Sequence, residues 1–374
     1  MTGVSVFACV GALALYSGAR AQEPTNPTPP WTQSIAFSGD FRYRHERTDM
    51  EGSEHRTRQR IRLRFGFDAK LPDDVAVTVR LATGGGDPIS TNQTLGEAFT
   101  KKPVALDLAY VEWRPAPLPD LGLLAGKMRN PFHAVGKNQL MWDSDLTPEG
   151  VAVQLHESFG KVGWFTNAGG FWVAERSQED DTGLFGFQNG VTLNQGGRGV
   201  TLTGGFGFFT YTALGGRAPI IDQGGSRNTL VVPSGAPSGA SVYASDFSIV
   251  ESFAEAGFTG LGVPIGLFGE YVRNVDARSD ETGWIVGMSV GRAKNPGTWQ
   301  FGYQYRRVEP DAVLGAFTDS DFAGGGTDAK GHTVTFEYRI AAHVTTGATY
   351  QDNEIGLRNS QHYRRLYFDV SISF

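Results

Sequence analysis

The 374-residue chain has a single cysteine and no run of eighteen apolar residues. A helix needs about twenty such residues to cross the hydrocarbon of a bilayer, so a helical membrane protein is excluded. One cysteine cannot build a disulfide framework. The seven histidines, His133, His156, His332, His343 and His362 among them, are scattered without zinc spacing. No serine lies at motif distance from one of them, and no P-loop or dinucleotide fingerprint occurs. The chain therefore reads as a non-enzyme with no cofactor and no metal. A net charge of −6 argues against nucleic acid as a partner.

Glycine, at 50 residues, and aromatics, at 12%, are abundant instead. That composition fits many strands joined by turns. The N-terminus reads as a secretion signal over residues 1–21. Val4 to Tyr16 are apolar, and Ala19-Arg20-Ala21 offers a small-residue cleavage site that would remove Cys9. Residues 22–34 hold four prolines and read as a periplasmic segment. Residues 35–374 keep one character throughout and read as one domain.

The repeating unit there is a stretch of alternating residues followed by a turn. Ile61, Leu63, Phe65 and Phe67 alternate with Arg60, Arg62, Arg64 and Gly66; Trp299, Phe301, Tyr303 and Tyr305 alternate with Gln300, Gly302, Gln304 and Arg306. Period 2 places the two sets on opposite faces of a sheet. The connections alternate in length: 71–74, 158–161, 260–263 and 293–297 are short, whereas 84–103, 129–148, 214–245 and 310–328 are long. The expected fold is all-β, a transmembrane antiparallel β-barrel of sixteen strands, beginning near residues 35, 56, 75, 104, 120, 149, 161, 183, 199, 246, 264, 281, 298, 329, 343 and 362. Alternation is poor over 104–128 and 183–194, which leaves fourteen or eighteen strands as alternatives.

The last segment is the most specific. Leu366, Phe368, Val370, Ile372 and Phe374 alternate with polar residues, and the chain ends on Phe374. This resembles the C-terminal signal read by the barrel assembly machinery, with Phe368, Val370, Ile372 and Phe374 as its residues.

Cost decides which face meets lipid. Arg56, Arg58, Arg60, Arg62 and Arg64 share one face of one strand. An arginine facing lipid at the midplane costs roughly 2–4 kcal/mol, so the row must face the lumen. Neighbours in the row are about 7 Å apart and repel by about 0.6 kcal/mol each in water, and by about four times that at an effective dielectric of 20. A wet lumen with carboxylates nearby tolerates this; a dry one does not. Arg42, Arg44, Asp40 and Glu46 share the equivalent face of the preceding strand, and Arg80 that of the following one. Thr345, Gly347, Thr349, Ser371 and Ser373, small and on the inner face of the late strands, favour an open pore.

Several segments resemble the "putative porin" family of Gram-negative bacteria: Arg80-Leu81-Ala82-Thr83-Gly84, Ser90 to Gly96, Gly126 to Phe132, and Leu140 to Gly150. The match covers about residues 35–160 and is architectural beyond. The resemblance implies an outer-membrane porin, a water-filled channel for passive diffusion of small hydrophilic solutes. The arginine wall, Arg42, Arg44, Arg56, Arg58, Arg60, Arg62, Arg64 and Arg80, adds a modest anion preference. The partners expected are outer-membrane lipid and lipopolysaccharide, the assembly machinery, and small hydrophilic or anionic solutes; a homotrimer is a candidate assembly. Two alternatives stand beside it: a substrate-specific or export channel for an anionic solute or polysaccharide, and a structural or adhesive barrel with an occluded lumen.

In general porins the third outer loop folds inward. Here that connection is 129–148, with Trp142, Asp143 and Asp145 as the residues of a constriction opposite the arginines. The alternative is a loop that caps the rim with its acids solvated. Asp319, Asp321 and Asp328 read as acids of a solvated outer loop, with an oxygen site for Ca²⁺ as the rival.

Overall fold

The computed structural model describes residues 34–177, 179–195, 199–221, 224–235, 240–260 and 262–374. The leader (1–21) and all but the last residue of the proline-rich segment lie outside the described residues.

Sixteen long strands form one closed antiparallel barrel. They are β1 (Ile35–Met50), β2 (Arg56–Leu71), β3 (Val75–Thr83), β4 (Val104–Trp113), β5 (Leu121–Lys127), β6 (Glu149–Phe159), β7 (Val162–Ala174), β8 (Thr182–Gln195), β9 (Val200–Tyr211), β10 (Ser248–Gly260), β11 (Val263–Asn274), β12 (Thr282–Gly291), β13 (Trp299–Val308), β14 (Ala329–Ala341), β15 (Val344–Ile355) and β16 (Gln361–Ser373). Every expected strand start falls within two residues of the observed one. Each strand pairs with its neighbours in sequence, and β16 pairs with β1 to close the ring. Closure leaves no edge, which is what a sheet in lipid requires, because hydrocarbon offers no partner to an unpaired amide.

Short turns gather at one rim and long loops at the other. Both ends of the described chain lie at the short-turn rim. There Gly39 N–H donates to the Phe374 carbonyl at 2.8 Å, and Phe374 N–H donates back at 3.0 Å. Gln93–Thr94, within the connection 84–103 (loop L2), adds a two-residue pairing to β2 at Arg60 and Ile61. The strands beside it are short: β3 has nine residues and β5 seven, against sixteen in β2. The barrel wall is therefore low at β3–β5, and L2 lies over the gap.

The outer face carries the large apolar side chains. Phe37, Phe65, Trp172, Phe185, Phe206 and Phe368 are all exposed, Trp172 at 71%. A soluble monomer does not carry an apolar belt of this extent; against lipid it costs nothing. Leu366, Phe368, Val370, Ile372 and Phe374 lie on this belt, while Tyr363 and Arg365 on the opposite face of β16 are buried inward. The alternation read from the sequence is thus the inside–outside alternation of the barrel.

Candidate functional site: the barrel interior

From β16 through β3 the inner face is an arginine wall. It follows from register: Arg42 is paired with Arg62, Arg44 with Arg60, and Glu46 with Arg58 across β1 and β2. The even-numbered residues of both strands therefore point inward together. Their charge is closely matched. Arg44 binds Asp369 through two hydrogen bonds of 2.8 Å and Asp321 through one of 2.7 Å. Arg365 binds Glu46 at 2.6 Å and Asp321 at 3.0 Å. Arg62 and Arg64 share Asp40, each at 2.8 Å, Arg80 pairs with Asp107, and Arg58 with Glu46. Arg56 sits exposed at the long-loop end of β2, with no ion pair among the described residues.

Eight arginines (42, 44, 58, 60, 62, 64, 80 and 365) thus contact six carboxylates (Asp40, Glu46, Asp107, Asp145, Asp321 and Asp369), an excess of two positive charges. Geometry places that excess on two residues. Among the described residues the one carboxylate within 4 Å of Arg42 is Asp369, at 4.0 Å and already held by Arg44, and Arg42 Nη2 donates to the neutral Asn92 Oδ1 at 2.6 Å. Among the described residues the one carboxylate within 4 Å of Arg60 is Glu46, at 3.6 Å, which Arg58 and Arg365 share. The Nε atoms of both Arg42 and Arg60 have no partner.

Two loops cross the interior from the opposite side. L3 (residues 128–148) runs along the inner faces of β8, β10 and β11. His133 N–H donates to Gln188 Oε1 at 2.7 Å, Gly136 N–H to Glu255 at 3.0 Å, and Asn138 to Glu270 at 2.6 Å. Met128, Val135 and Leu140 are fully buried. L7 (residues 309–328) enters from β13 and β14. Arg306, 1% exposed, holds Asp319 at 2.9 Å, and Phe322 covers its guanidinium. The two loops are joined: Asp143 N–H donates to the Phe317 carbonyl, and Ser320 N–H to Asp143 Oδ2, both at 2.8 Å. Together with L5 (212–247), they pack Leu140, Leu214, Val313, Leu314 and Phe322 into an apolar cluster inside the long-loop end of the barrel.

The electrostatics of the two acids at this junction differ. Burial would raise the Asp321 carboxyl, but Arg365 and Arg44 hold it well below the usual carboxylate range. Asp143 has no arginine beside it. Burial, with Asp319 close by, pushes it up to about 8.

The sequence of the chain matches the family described as "putative porin" over residues 50–226 and 251–364. The chain belongs to this family. No curated protein sequence matches the porin. Among solved structures it resembles OprB of Pseudomonas putida at high pH (TM-score 0.60, 12% identity, 92% of this chain and 95% of that one). It also resembles OmpF of Salmonella typhi in complex with daunomycin (TM-score 0.56, 12% identity, 91% and 97%). A loop-L8 deletion of the outer-membrane protein OmpT of Vibrio cholerae gives a TM-score of 0.52 at 12% identity, over 91% and 100%. At that identity these likenesses establish the fold.

The residues singled out in the sequence distribute unevenly over the porin. The arginines lie together on the inner wall. Asp145 does not face them across a gap; it touches them, accepting from Arg64 at 3.3 Å and from the Thr91 hydroxyl and N–H at 2.9 and 3.1 Å. Asp143 turns away from the wall to tie L3 to L7. Trp142 stacks on Phe132 and meets Phe209 edge-on, on the β9 side. Asp319 and Asp321 are not solvated loop acids, nor a Ca²⁺ site: arginines hold both. Asp328 accepts from Leu357 N–H at 2.9 Å. The residues missed were Asp107, Asp369, Arg306 and Arg365, and Asp321 was read as a loop acid instead of a partner of the wall. Arg365 and Asp369 carried a signal, since they alternate with the apolar residues of the last strand.

Proposed function

We propose that this porin is a water-filled outer-membrane channel for passive diffusion of small hydrophilic solutes, with a modest anion preference. The observation that carries the preference is the excess of two guanidinium charges at Arg42 and Arg60. Fixed charge acts within about 8 Å at physiological salt, so this local excess outweighs the negative total of the chain. Near-complete pairing of the other arginines keeps the preference modest. Replacing Arg42 and Arg60 together with serine should lower the anion-to-cation permeability ratio roughly threefold, because two unit charges leave a screened site. The reversal potential in a KCl gradient measures it, and an unmoved potential overturns the anion reading.

The apolar cluster of L3, L5 and L7 favours a second reading, a barrel with an occluded lumen. Single-channel conductance separates the two: steps in KCl support the channel, and silence in correctly folded barrel supports occlusion.

Assembly and orientation belong to the same proposal. The short-turn rim and both ends of the barrel face the periplasm, with Phe368, Val370, Ile372 and Phe374 offered to the assembly machinery from that side. Deleting Phe374 should reduce heat-modifiable barrel in the outer membrane several-fold, and unchanged assembly would sink the assignment. A homotrimer fits the porin fold, and a trimeric form is recorded for Vibrio cholerae OmpT (TM-score 0.50, 12% identity).

A further inference from the structure

The barrel interior contains a second polar feature, distinct from the arginine wall. Against L3 and L7 lies a cavity of about 890 Å³, within the range of roughly 300–1,000 Å³ usual for small-molecule sites. Its wall on β13–β15 is a grid of uncharged polar side chains: Gln300 and Gln304 on β13, Thr333 and Thr335 on β14, and Gln351 on β15. Register sets Gln304 beside Thr333, and Thr333 beside Gln351. Thr333 and Gln351 are 6% and 2% exposed, yet Thr333 Oγ1 and Gln351 Oε1 have no hydrogen-bond partner among the described residues. Glycine keeps the space open. At Gly302, between the two glutamines, a Cβ would stand 2.4 Å from Thr335 Oγ1, and at Gly257 on β10 it would meet nothing within 4 Å.

Of the charged groups lining the cavity, Asp319 is held by Arg306, Asp321 by Arg44 and Arg365, and Glu255 lies 3.3 Å from His133. Lys137, Arg292 and Glu337 also line it, Arg292 and Glu337 at the Gln300 end, where Gln300 pairs with Gly291 and Glu337. Around Gln304, Thr333 and Gln351 the groups offered are amides and hydroxyls. A hydroxyl, donor and acceptor at once, can satisfy both kinds of group.

We propose that this chamber binds a neutral polyhydroxylated solute of mono- or disaccharide size, with Gln304, Thr333 and Gln351 exchanging hydrogen bonds with its hydroxyls. The inference deepens the channel reading by naming a solute class, and rests on it for access to the site. Binding itself is measured without it.

Titration calorimetry of the full folded barrel in detergent, with maltose as probe, should give a saturable heat, and gluconate a weaker one. Gln351→Ala should weaken maltose binding at least about tenfold, equivalent to about 1.4 kcal/mol. Gly257→Leu, which fills the chamber from a position with free space, should do the same without touching the polar grid. Absence of saturable maltose heat, native affinity in either variant, or tighter binding of gluconate overturns the proposal. Normal KCl conductance without maltose heat overturns this inference alone. Maltose heat in a barrel silent in KCl overturns the channel reading and leaves the chamber standing.

Discussion

Replacing Asp319 and Asp321 together with asparagine should release L7 from the barrel wall and roughly double the single-channel conductance, since the narrowest section of a pore sets its resistance. Asp321 is shared by Arg44 and Arg365, whose side chains are 4% and 2% exposed. Among the described residues Asp319 is the one ion-pair partner of Arg306. Removing one side of a buried ion pair costs roughly 3–5 kcal/mol, because the remaining charge stays desolvated. Arg44 and Arg365 keep Asp369 and Glu46, but among the described residues Arg306 keeps no carboxylate within 4 Å, so the docked loop becomes the less favourable state. The strand ladders do not depend on L7, and the barrel should remain heat-modifiable on gels. Selectivity supplies a second readout. Two negative charges leave the lumen, so the reversal potential should move towards anions. A shift in potential with unchanged conductance would mean that L7 stays docked and does not narrow the passage.

Alkaline pH should loosen the contact between L3 and L7, and an Asp143→Asn variant should lose that response. Asp143 accepts from Ser320 N–H at 2.8 Å and from Asp145 N–H at 2.8 Å. The charged groups nearest to it are Asp145 on its own loop and Asp319 on L7, with Arg306 beyond Asp319. Its pKa is about 8 when the loops are docked, against an ordinary 3.8. The docked state therefore binds the proton more tightly than the separated state. Its contribution to docking is complete below the ordinary pKa, declines as pH rises, and is gone above about 8. Conductance, or its fluctuation, should rise between about pH 4 and pH 8 in the native porin and stay flat in the asparagine variant, which is neutral throughout. A rise of equal size in both proteins would assign the effect to another group.

The strand count, the strand starts and the facing of β1, β2, β13 and β16 were legible because those strands have lipid on one side and charged or polar groups on the other. The two poorly alternating stretches fail for physical reasons. In β8 the inner face interrupts its polar residues Thr182 and Gln188 with Leu184 and Gly186, because L3 packs there: a Cβ at Gly186 would lie 2.5 Å from the Phe132 ring. A strand with lipid outside and an apolar plug inside loses its alternation. In β4 a register shift against Arg80 and Leu81 breaks the period near Asp107. The arginine wall was legible because its cost in lipid is so large. Its degree of neutralisation was not, since Asp321 and Asp145 come from loops distant in sequence whose placement no local pattern encodes. Loop order singled out 129–148, but nothing in the composition of 310–328 marks it as a second segment that enters the barrel.

The low wall at β3–β5 has a consequence for how copies of the chain can meet. Above the short β3, the upper half of β2 would present a row of bare amides and carbonyls, the kind of surface that recruits a strand from another molecule. L2 occupies part of that row through Gln93 and Thr94, and Leu95 N–H donates to the Gln59 carbonyl at 2.8 Å. The chain thereby supplies in cis what a neighbour would otherwise supply in trans. Any contact with a second copy at this flank would then be made through side chains and the outer surface of L2, so each barrel can complete its wall alone and an oligomer, where one forms, would follow folding instead of being part of it.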